Sequence, residues 1–298
     1  ARPTAKATED RTRPAGQWNL YRLKSENGTL ELSVNGKVVT RASDCTQVKG
    51  YLCLESENSE VHFRNIRIQE LPSSNPPAEK IAEDLKGFTP LFDGLTFRGW
   101  KNAEDFKGRW TAADGVIKLD PSQPLKGNRQ QNMPWTETSY ENFTLIADWR
   151  LTAKPVRKPM NDFTPDGLFR RTPDGKVATH EVLFAGDSGL ILRGDHQAQV
   201  NIWSQPMGSG DINPYHKNAD LSAEIRKACM PSENADNPPG QWNRFLITMK
   251  GDRVTVQLNG KTVIDHAELP GVAAQGPIGL QDHGDPIEFR NLYIKPAD

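Results

Sequence analysis

Two stretches of this chain, far apart, carry the same residues in the same order. Pro14-Ala15-Gly16-Gln17-Trp18-Asn19 returns as Pro238-Pro239-Gly240-Gln241-Trp242-Asn243, and the Asn35-Gly36-Lys37 turn returns at the same offset as Asn259-Gly260-Lys261. Phe63-Arg64-Asn65 returns as Phe289-Arg290-Asn291, with the spacing lengthened by two residues. Ordered matches of this kind mark an internal repeat, so the chain is expected to fold as copies of one unit. The copies are unequal: nothing before Gly16 resembles the segment Phe88 to Ala235 that precedes the second occurrence. Residues 1–71 therefore read as the C-terminal third of a first copy, 72–86 as a linker around Pro72 to Pro77 with a short helix over Ala78 to Leu85, and 87–298 as a complete domain.

The repeated unit is β. Asn-Gly between alternating apolar runs predicts a two-residue hairpin, because both central positions of a type I′ turn need positive φ. Val254, Val256 and Leu258 alternate with Arg253, Thr255 and Gln257, the pattern of a strand with one buried face. In the last strand the period slips at Arg290-Asn291, as it slips at Arg64-Asn65, which predicts a β-bulge. Further strands are expected over Val116 to Leu119, Phe143 to Leu151, Val177 to Phe184, Gly189 to Arg193, Gln197 to Trp203 and Phe245 to Met249. Many short strands with frequent turns and almost no helical periodicity predict an all-β antiparallel β-sandwich, one complete copy plus a partial one. Trp18, Trp149 and Trp242 are expected in its core.

Charge narrows the partners. Lys and Arg number 37 against 38 Asp and Glu, a net of -1, which leaves no basic field for nucleic acid or anionic lipid. No window approaches the roughly 18 apolar residues of a membrane-spanning helix, so membrane insertion is not expected. The start at Ala1, without an apolar stretch behind it, reads as a processed product, and the protein is expected outside the cytoplasm, periplasmic or secreted. Cys45 and Cys53 flank a glycine-containing turn and are either bridged or two small buried hydrophobes; Cys229 is left over in both cases. No cysteine–histidine spacing suggests zinc.

The partial copy raises a burial question. Leu30, Leu32, Val34, Leu52, Leu54, Phe63 and Ile66 need a facing sheet, and leaving them in water would forfeit roughly 1.5–3 kcal/mol for each large side chain. A second polypeptide or a symmetry-related copy is expected to cover them.

The stretch Gln197 to Trp203, taken as a strand, sends Ala198, Val200 and Ile202 to one face and Gln197, Gln199, Asn201 and Trp203 to the other. A row of amides ending in an indole suits carbohydrate, since amides bond hydroxyls in both directions and an aromatic plate packs a sugar's apolar face. The same row is also what a polar outer strand with Trp203 under a loop would show. Arg150, on the non-core phase of its strand, is a weaker candidate for the same site. His283 is singled out by comparing the copies: Gln281-Asp282-His283-Gly284-Asp285-Pro286 stands where the first copy has Glu55-Ser56-Glu57-Asn58-Ser59-Glu60. The strand that follows is preserved and the histidine is not, which favours function over fold. Glu181 with Asp162, Asp166 and Asp174 could supply paired glycosidase carboxylates, but sequence spacing cannot place two of them at the required separation. An oxygen-rich loop such as Asp282 to Asp285 would suit a divalent cation, Ca²⁺ first, although no cofactor is required and no metal ligand set can be named.

Leu91-Phe92-Asp93-Gly94 with Gly99-Trp100, Asp187-Ser188-Gly189 with Leu192-Arg193-Gly194, Gln199 to Trp203, Gly240 to Asn243, and Gly279 to Pro286 ending in Phe289-Arg290-Asn291 together resemble the 3-keto-disaccharide hydrolase-like domain family. The resemblance covers 87–298 throughout and 14–71 as a partial copy. It implies a concanavalin-like jelly roll, exported by glycan-degrading bacteria and acting on glycosides oxidised to a ketone at C3. One departure is Asp187, where the family's strand begins Asn-Ser-Gly. A C3 ketone acidifies the C2 hydrogen, so a base can remove it, an enolate can form, and the C1 substituent can leave; water then adds back. The roles needed are a base near pKa 7, a donor or cation at the enolate oxygen, and an acid for the leaving oxygen. His283 oriented by Asp282 is the candidate base or acid, Arg193 or a divalent cation the enolate partner, and Gln199, Asn201, Trp203, Asp187 and Arg150 the substrate contacts. The alternative is a module that binds carbohydrate, or serves assembly, without turnover.

Overall fold

The computed structural model describes residues 5–26, 29–43, 52–57, 59–69, 71, 87–94 and 96–297. From Thr89 onward two sheets of antiparallel strands face one another as a jelly-roll sandwich. The larger runs β16 (Lys261–Glu268), β15 (Arg253–Leu258), β14 (Asn243–Lys250), β9 (Phe143–Leu151), β18 (Ile287–Pro296), β7 (Val116–Leu119) and β6 (Trp110–Ala113), with β4 (Thr89–Pro90) also pairing on β18. The smaller runs β13 (Gln199–Trp203), β12 (Asp187–Ile191), β17 (Gly279–Leu280), β8 (Trp135–Thr136) and β5 (Trp100–Lys101). A separate ribbon pairs β10 (Val156–Asn161) with β11 (Thr179–Phe184). Among the described residues α-helix is confined to short pieces, α1 (Ala103–Phe106), α2 (Asn213–His216) and α3 (Ala223–Ala228).

Period-2 alternation places the core. Phe245, Ile247 and Met249 on β14, Leu145, Ala147 and Trp149 on β9, and Val254, Val256 and Leu258 on β15 meet Leu190, Val200, Ile202 and Leu280 of the smaller sheet. The turn between β15 and β16 has Asn259 at φ 52° and Gly260 at φ 84°, the positive pair that an Asn-Gly hairpin requires. Where the period slips, β18 shifts register against β9 between Arg290 and Tyr293, and Asn291 takes φ 49°: the expected bulge is present. Two local expectations differ. The strand expected from Gln197 begins at Gln199, because Asp195 caps a 3₁₀ turn over His196–Ala198 by accepting a bond from the Gln197 amide at 2.9 Å. Trp242 is not core: it lies on the outer face of the larger sheet, under Arg290 at 3.8 Å and Arg150 at 4.6 Å.

In the N-terminal segment β1 (Tyr21–Glu26), β2 (Thr29–Val34) and β3 (Lys37–Ala42) form a three-stranded antiparallel sheet. Its polar frame matches that around β14 bond for bond. Asn35 Nδ2 donates to Asn19 Oδ1 at 2.8 Å, and the Leu20 amide to Asn35 Oδ1 at 3.0 Å. At the matching positions Asn259 Nδ2 donates to Asn243 Oδ1 at 2.8 Å, and the Arg244 amide to Asn259 Oδ1 at 2.9 Å. Arg64 covers Trp18 at 3.9 Å as Arg290 covers Trp242. Trp18 is nonetheless 41% exposed, outside any core. The apolar faces also differ: Tyr21, Leu23, Phe63 and Ile66 are exposed, whereas Phe245, Ile247, Phe289 and Leu292 at the matching positions are buried. The linker at Pro72 to Pro77, the helix expected over Ala78 to Leu85, and Cys45 lie outside the described residues; Cys53 carries a free, exposed thiol.

Candidate functional site

The first residue of β12 starts the site. Gly186, at φ 134°, brings the chain so close to Asp285 that a Cβ there would lie 3.1 Å from the Asp285 Cβ. The Asp187 amide then donates to Asp285 Oδ2 at 3.1 Å. His283 sits between the two carboxylates, its Nε2 at 3.9 Å from Asp187 Oδ2 and its Nδ1 at 3.8 Å from Asp285 Oδ2. The histidine's loop is tied from behind by Arg129, whose Nη1 donates to the His283 carbonyl at 2.5 Å. Its ring is half exposed, while Asp187 is nearly covered.

Burial sets the titration of this cluster. It pushes the Asp187 carboxyl up to about 6; His283 and Lys158 pull it down, and Asp211 and Asp285 push it up further. His283 is raised above its ordinary value, first by the Asp285 carboxylate and then by Asp187, against burial and Arg129. A carboxyl pushed up to about 6 lies beside a histidine raised above its ordinary value, a pairing of titratable groups that suits acid–base chemistry.

A second polar chain runs from this cluster across the outer face of the smaller sheet. Asp187 is the cross-strand partner of Trp203, and Gly189 of Asn201. Gln199 Nε2 passes over Gly189 to donate to Gln281 Oε1 at 2.9 Å and to Asn201 Oδ1 at 2.5 Å. Asn201 Nδ2 donates to Asp211 Oδ2 at 3.1 Å, the oxygen that also faces His216 Nε2 at 3.1 Å. His216 Nδ1 lies 2.8 Å from the Gly167 carbonyl, which can only accept, so this nitrogen carries a proton. Gln281, Gln199, Asn201, Asp211 and His216 form a hydrogen-bonded chain, buried from Gln199 to His216.

The expected residues divide accordingly. Ala198, Val200 and Ile202 face the inter-sheet core, and Gln199, Asn201 and Trp203 the opposite side, as the alternation predicts. That side is covered, though. Phe163 packs edge-on to His216 at 5.1 Å and lies 6.1 Å from Trp203, so the amides satisfy one another instead of meeting solvent. Asp282 does not orient His283; both its oxygens bind Arg109, Nη2 at 3.0 Å and Nε closer still. Arg193 is two residues beyond the opposite end of β12, buried, donating to the carbonyls of Glu141, Gly251 and Ala273 and to Asn142 Oδ1. It clamps loops and has no donor set free for an enolate there. Arg150 pairs with Glu288 at 2.6 Å on the outer face of the larger sheet, away from β13. Among the acidic candidates, Asp162 pairs with Arg170, Asp166 with Arg226 and Asp174 with Lys176, each carboxylate taken up by a cation. Among the described residues, no group of three or more His, Cys, Asp or Glu side chains is placed to hold a metal ion. Asp211 and Arg129 are members that sequence reasoning misses, because a lone aspartate or arginine between strands carries no local signal.

The fold and the cluster together define a jelly-roll protein with the titratable groups Asp187, His283 and Asp285 gathered at one end of its smaller sheet. The chain belongs to the 3-keto-alpha-glucoside-1,2-lyase-like domain family, whose model matches residues 2–69 and 87–295. A 3-keto-disaccharide hydrolase of Bacteroides thetaiotaomicron is 21% identical over 274 residues, covering 80% of this chain and 86% of its own. Two solved structures from Parabacteroides distasonis, provisionally assigned as glycosyl hydrolases, are each 21% identical. One has a TM-score of 0.42 and covers 72% of this chain and 95% of its own; the other has 0.43, 83% and 99%. Among the described residues no helix is long and apolar enough to cross a membrane.

Proposed function

We propose that this protein cleaves glycosides bearing a ketone at C3, by elimination across C1–C2 followed by addition of water. The observation that carries this is His283 held between Asp187 and Asp285, with Asp187 near 6. Asp187, ionised above that value, takes the C2 proton; the electron pair moves to the C3 oxygen as an enolate. His283, protonated below its raised value, gives its proton to the glycosidic oxygen as the C1–O bond breaks. Water then adds across the C1–C2 double bond, and the net change is hydrolysis. Arg129, whose guanidinium bonds the His283 carbonyl, is proposed for the enolate role first given to Arg193. Family membership and the hydrolase relative support the substrate class, and the reading makes the protein an exported one.

Incubation with a 3-keto-disaccharide should release 3-keto-glucose or its glycal, and His283→Gln should abolish release while leaving the fold intact. No product from the wild-type protein would leave binding without turnover as its role. A second reading, assembly, is favoured by one observation: Tyr21, Leu23, Phe63 and Ile66 are exposed, where the complete copy buries Phe245, Ile247, Phe289 and Leu292.

A further inference from the structure

The reaction proposed for Asp187 leaves one nearby cation unused. Lys217 follows His216 at the end of α2, and ring contacts fix where it lies. Phe163 packs edge-on to His216 at 5.1 Å and stacks on Phe169 at 5.3 Å, and the Lys217 Nζ lies 5.3 Å from the Phe169 ring centroid. The loop carrying both phenylalanines is held against α2: a Cβ on Gly167 would lie 2.7 Å from the His216 carbonyl oxygen, and Arg226 pairs with Asp166. Lys217 is half-buried, yet among the described residues its ammonium has no hydrogen bond and no ion pair. Burial pushes it down from its ordinary value, while Asp211 and Asp187 push it up, so both carboxylates lie within its electrostatic reach. Taking an ammonium from water without giving it an acceptor is costly, which marks Lys217 as a group whose oxygen partner arrives from outside the chain. Lys158 also acts on Asp187, but it is exposed over Phe184 and water screens its charge.

We infer that Lys217 is a further catalytic residue of the proposed elimination, its ammonium donating to the C3 oxygen of the substrate and sharing the enolate with Arg129. When Asp187 takes the C2 proton, negative charge leaves its carboxylate and appears on the C3 oxygen, two bonds from C2. A cation that already acts on Asp187 keeps an anion beside it throughout this step, and its effect is strongest where water is partly excluded. Arg129 has given Nη1 to the His283 carbonyl, whereas the three N–H donors of Lys217 are all open to the substrate. No bond forms to the lysine and it keeps its protons. As the C1–O bond breaks, the electron pair returns from the C3 oxygen to restore the ketone, the C1–C2 double bond forms, and the leaving oxygen takes its proton from His283. The inference rests on the proposed reaction and adds to it the group that draws the C2 electron pair onto oxygen.

The test separates enolate formation from cleavage. 3-Keto-glucose carries the ketone and no aglycone, so on the full chain in deuterium oxide its C2 hydrogen should exchange for deuterium at a rate read by proton NMR. Lys217→Met and Lys217→Gln, which keep a stem against Phe169, should each slow this exchange by about 10²–10³ with the melting temperature unchanged. Lys217→Arg restores a cation and should regain about tenfold of the loss, which a merely structural lysine would not show. Exchange as fast in the Met and Gln variants as in the wild type, or an equal loss in all three variants, overturns the inference. Exchange that depends on Lys217 without release of product from a 3-keto-disaccharide would count against cleavage alone. Neither exchange nor release by the wild type would overturn both.

Discussion

Asp187 and His283 illustrate how little of a residue's role is written in its type. Both are ordinary titrating side chains until burial and a neighbouring carboxylate move them toward neutrality. Activity is expected to rise with pH through about 6, as Asp187 ionises, and to fall above the raised value of His283; a profile flat from pH 5 to 8 would remove both from the chemistry. The linkage runs the other way for stability. Because the native Asp187 carboxyl holds its proton where the unfolded chain, at 3.8, has lost it, stability falls as pH rises from about 4 through about 6. Asp187→Asn, neutral at every pH, should therefore gain up to about 3 kcal/mol on the wild type at pH 8 and almost nothing at pH 3, while activity drops by roughly 10²–10⁴. Urea titration at the two pH values measures the first effect and product release the second. Asp282 makes the contrast. Bound by both oxygens to buried Arg109, it is expected on change to Asn to cost roughly 3–5 kcal/mol without shifting the pH profile of the remaining activity.

At the scale of elements, β12 and β13 show how a strand face becomes a hydrogen-bonded chain. Gly189 lacks a side chain where Gln199 must cross: a Cβ there would lie 2.7 Å from Gln199 Nε2. Gly189→Ala should push Gln199 off Gln281 and loosen the strand beneath His283, at a cost of roughly 1–3 kcal/mol by denaturant unfolding. An unchanged midpoint would mean that Gln199 has another seat. The period-2 alternation of β13 was legible in the chain, and so was the amide row. That the row is covered was not, because Phe163 reaches it from beyond β10 and His216 from α2, and alternation says nothing about what lies on the outer side of a strand.

For the whole molecule, the matching segments explain each other's differences. In the complete copy β14 and β18 both pair with β9. In the N-terminal segment β1 takes the place of β14 and residues 61–69 the place of β18; among the described residues β1 pairs with β2 alone and residues 61–69 pair with no strand. Among the described residues neither has a neighbour equivalent to β9, and there Tyr21, Leu23, Phe63 and Ile66 are exposed. The proposed partner is accordingly a polypeptide carrying the counterpart of Phe88 to Ala235. The 298-residue chain is expected to associate in solution or to exchange its β1 amides rapidly. Light scattering that shows a stable monomer with slowly exchanging β1 amides would overturn this.

What the sequence determined alone is what depends on near neighbours. Alternation assigns strands and their core faces, Asn-Gly requires the hairpins, and the slip at Arg290-Asn291 requires the bulge; His283 stood out because one copy has it and the other does not. Everything that depended on a partner's identity was decided by tertiary structure. Asp282 and Arg193 look catalytic beside His283 and Gly194 in the chain, yet one is claimed by Arg109 and the other by four loop acceptors. Asp187 and Asp285, nearly a hundred positions apart, become neighbours only when β12 and the loop before β18 close on each other. A side chain's charge state and partners follow from burial and distance, and both are properties of the fold, not of the order of residues.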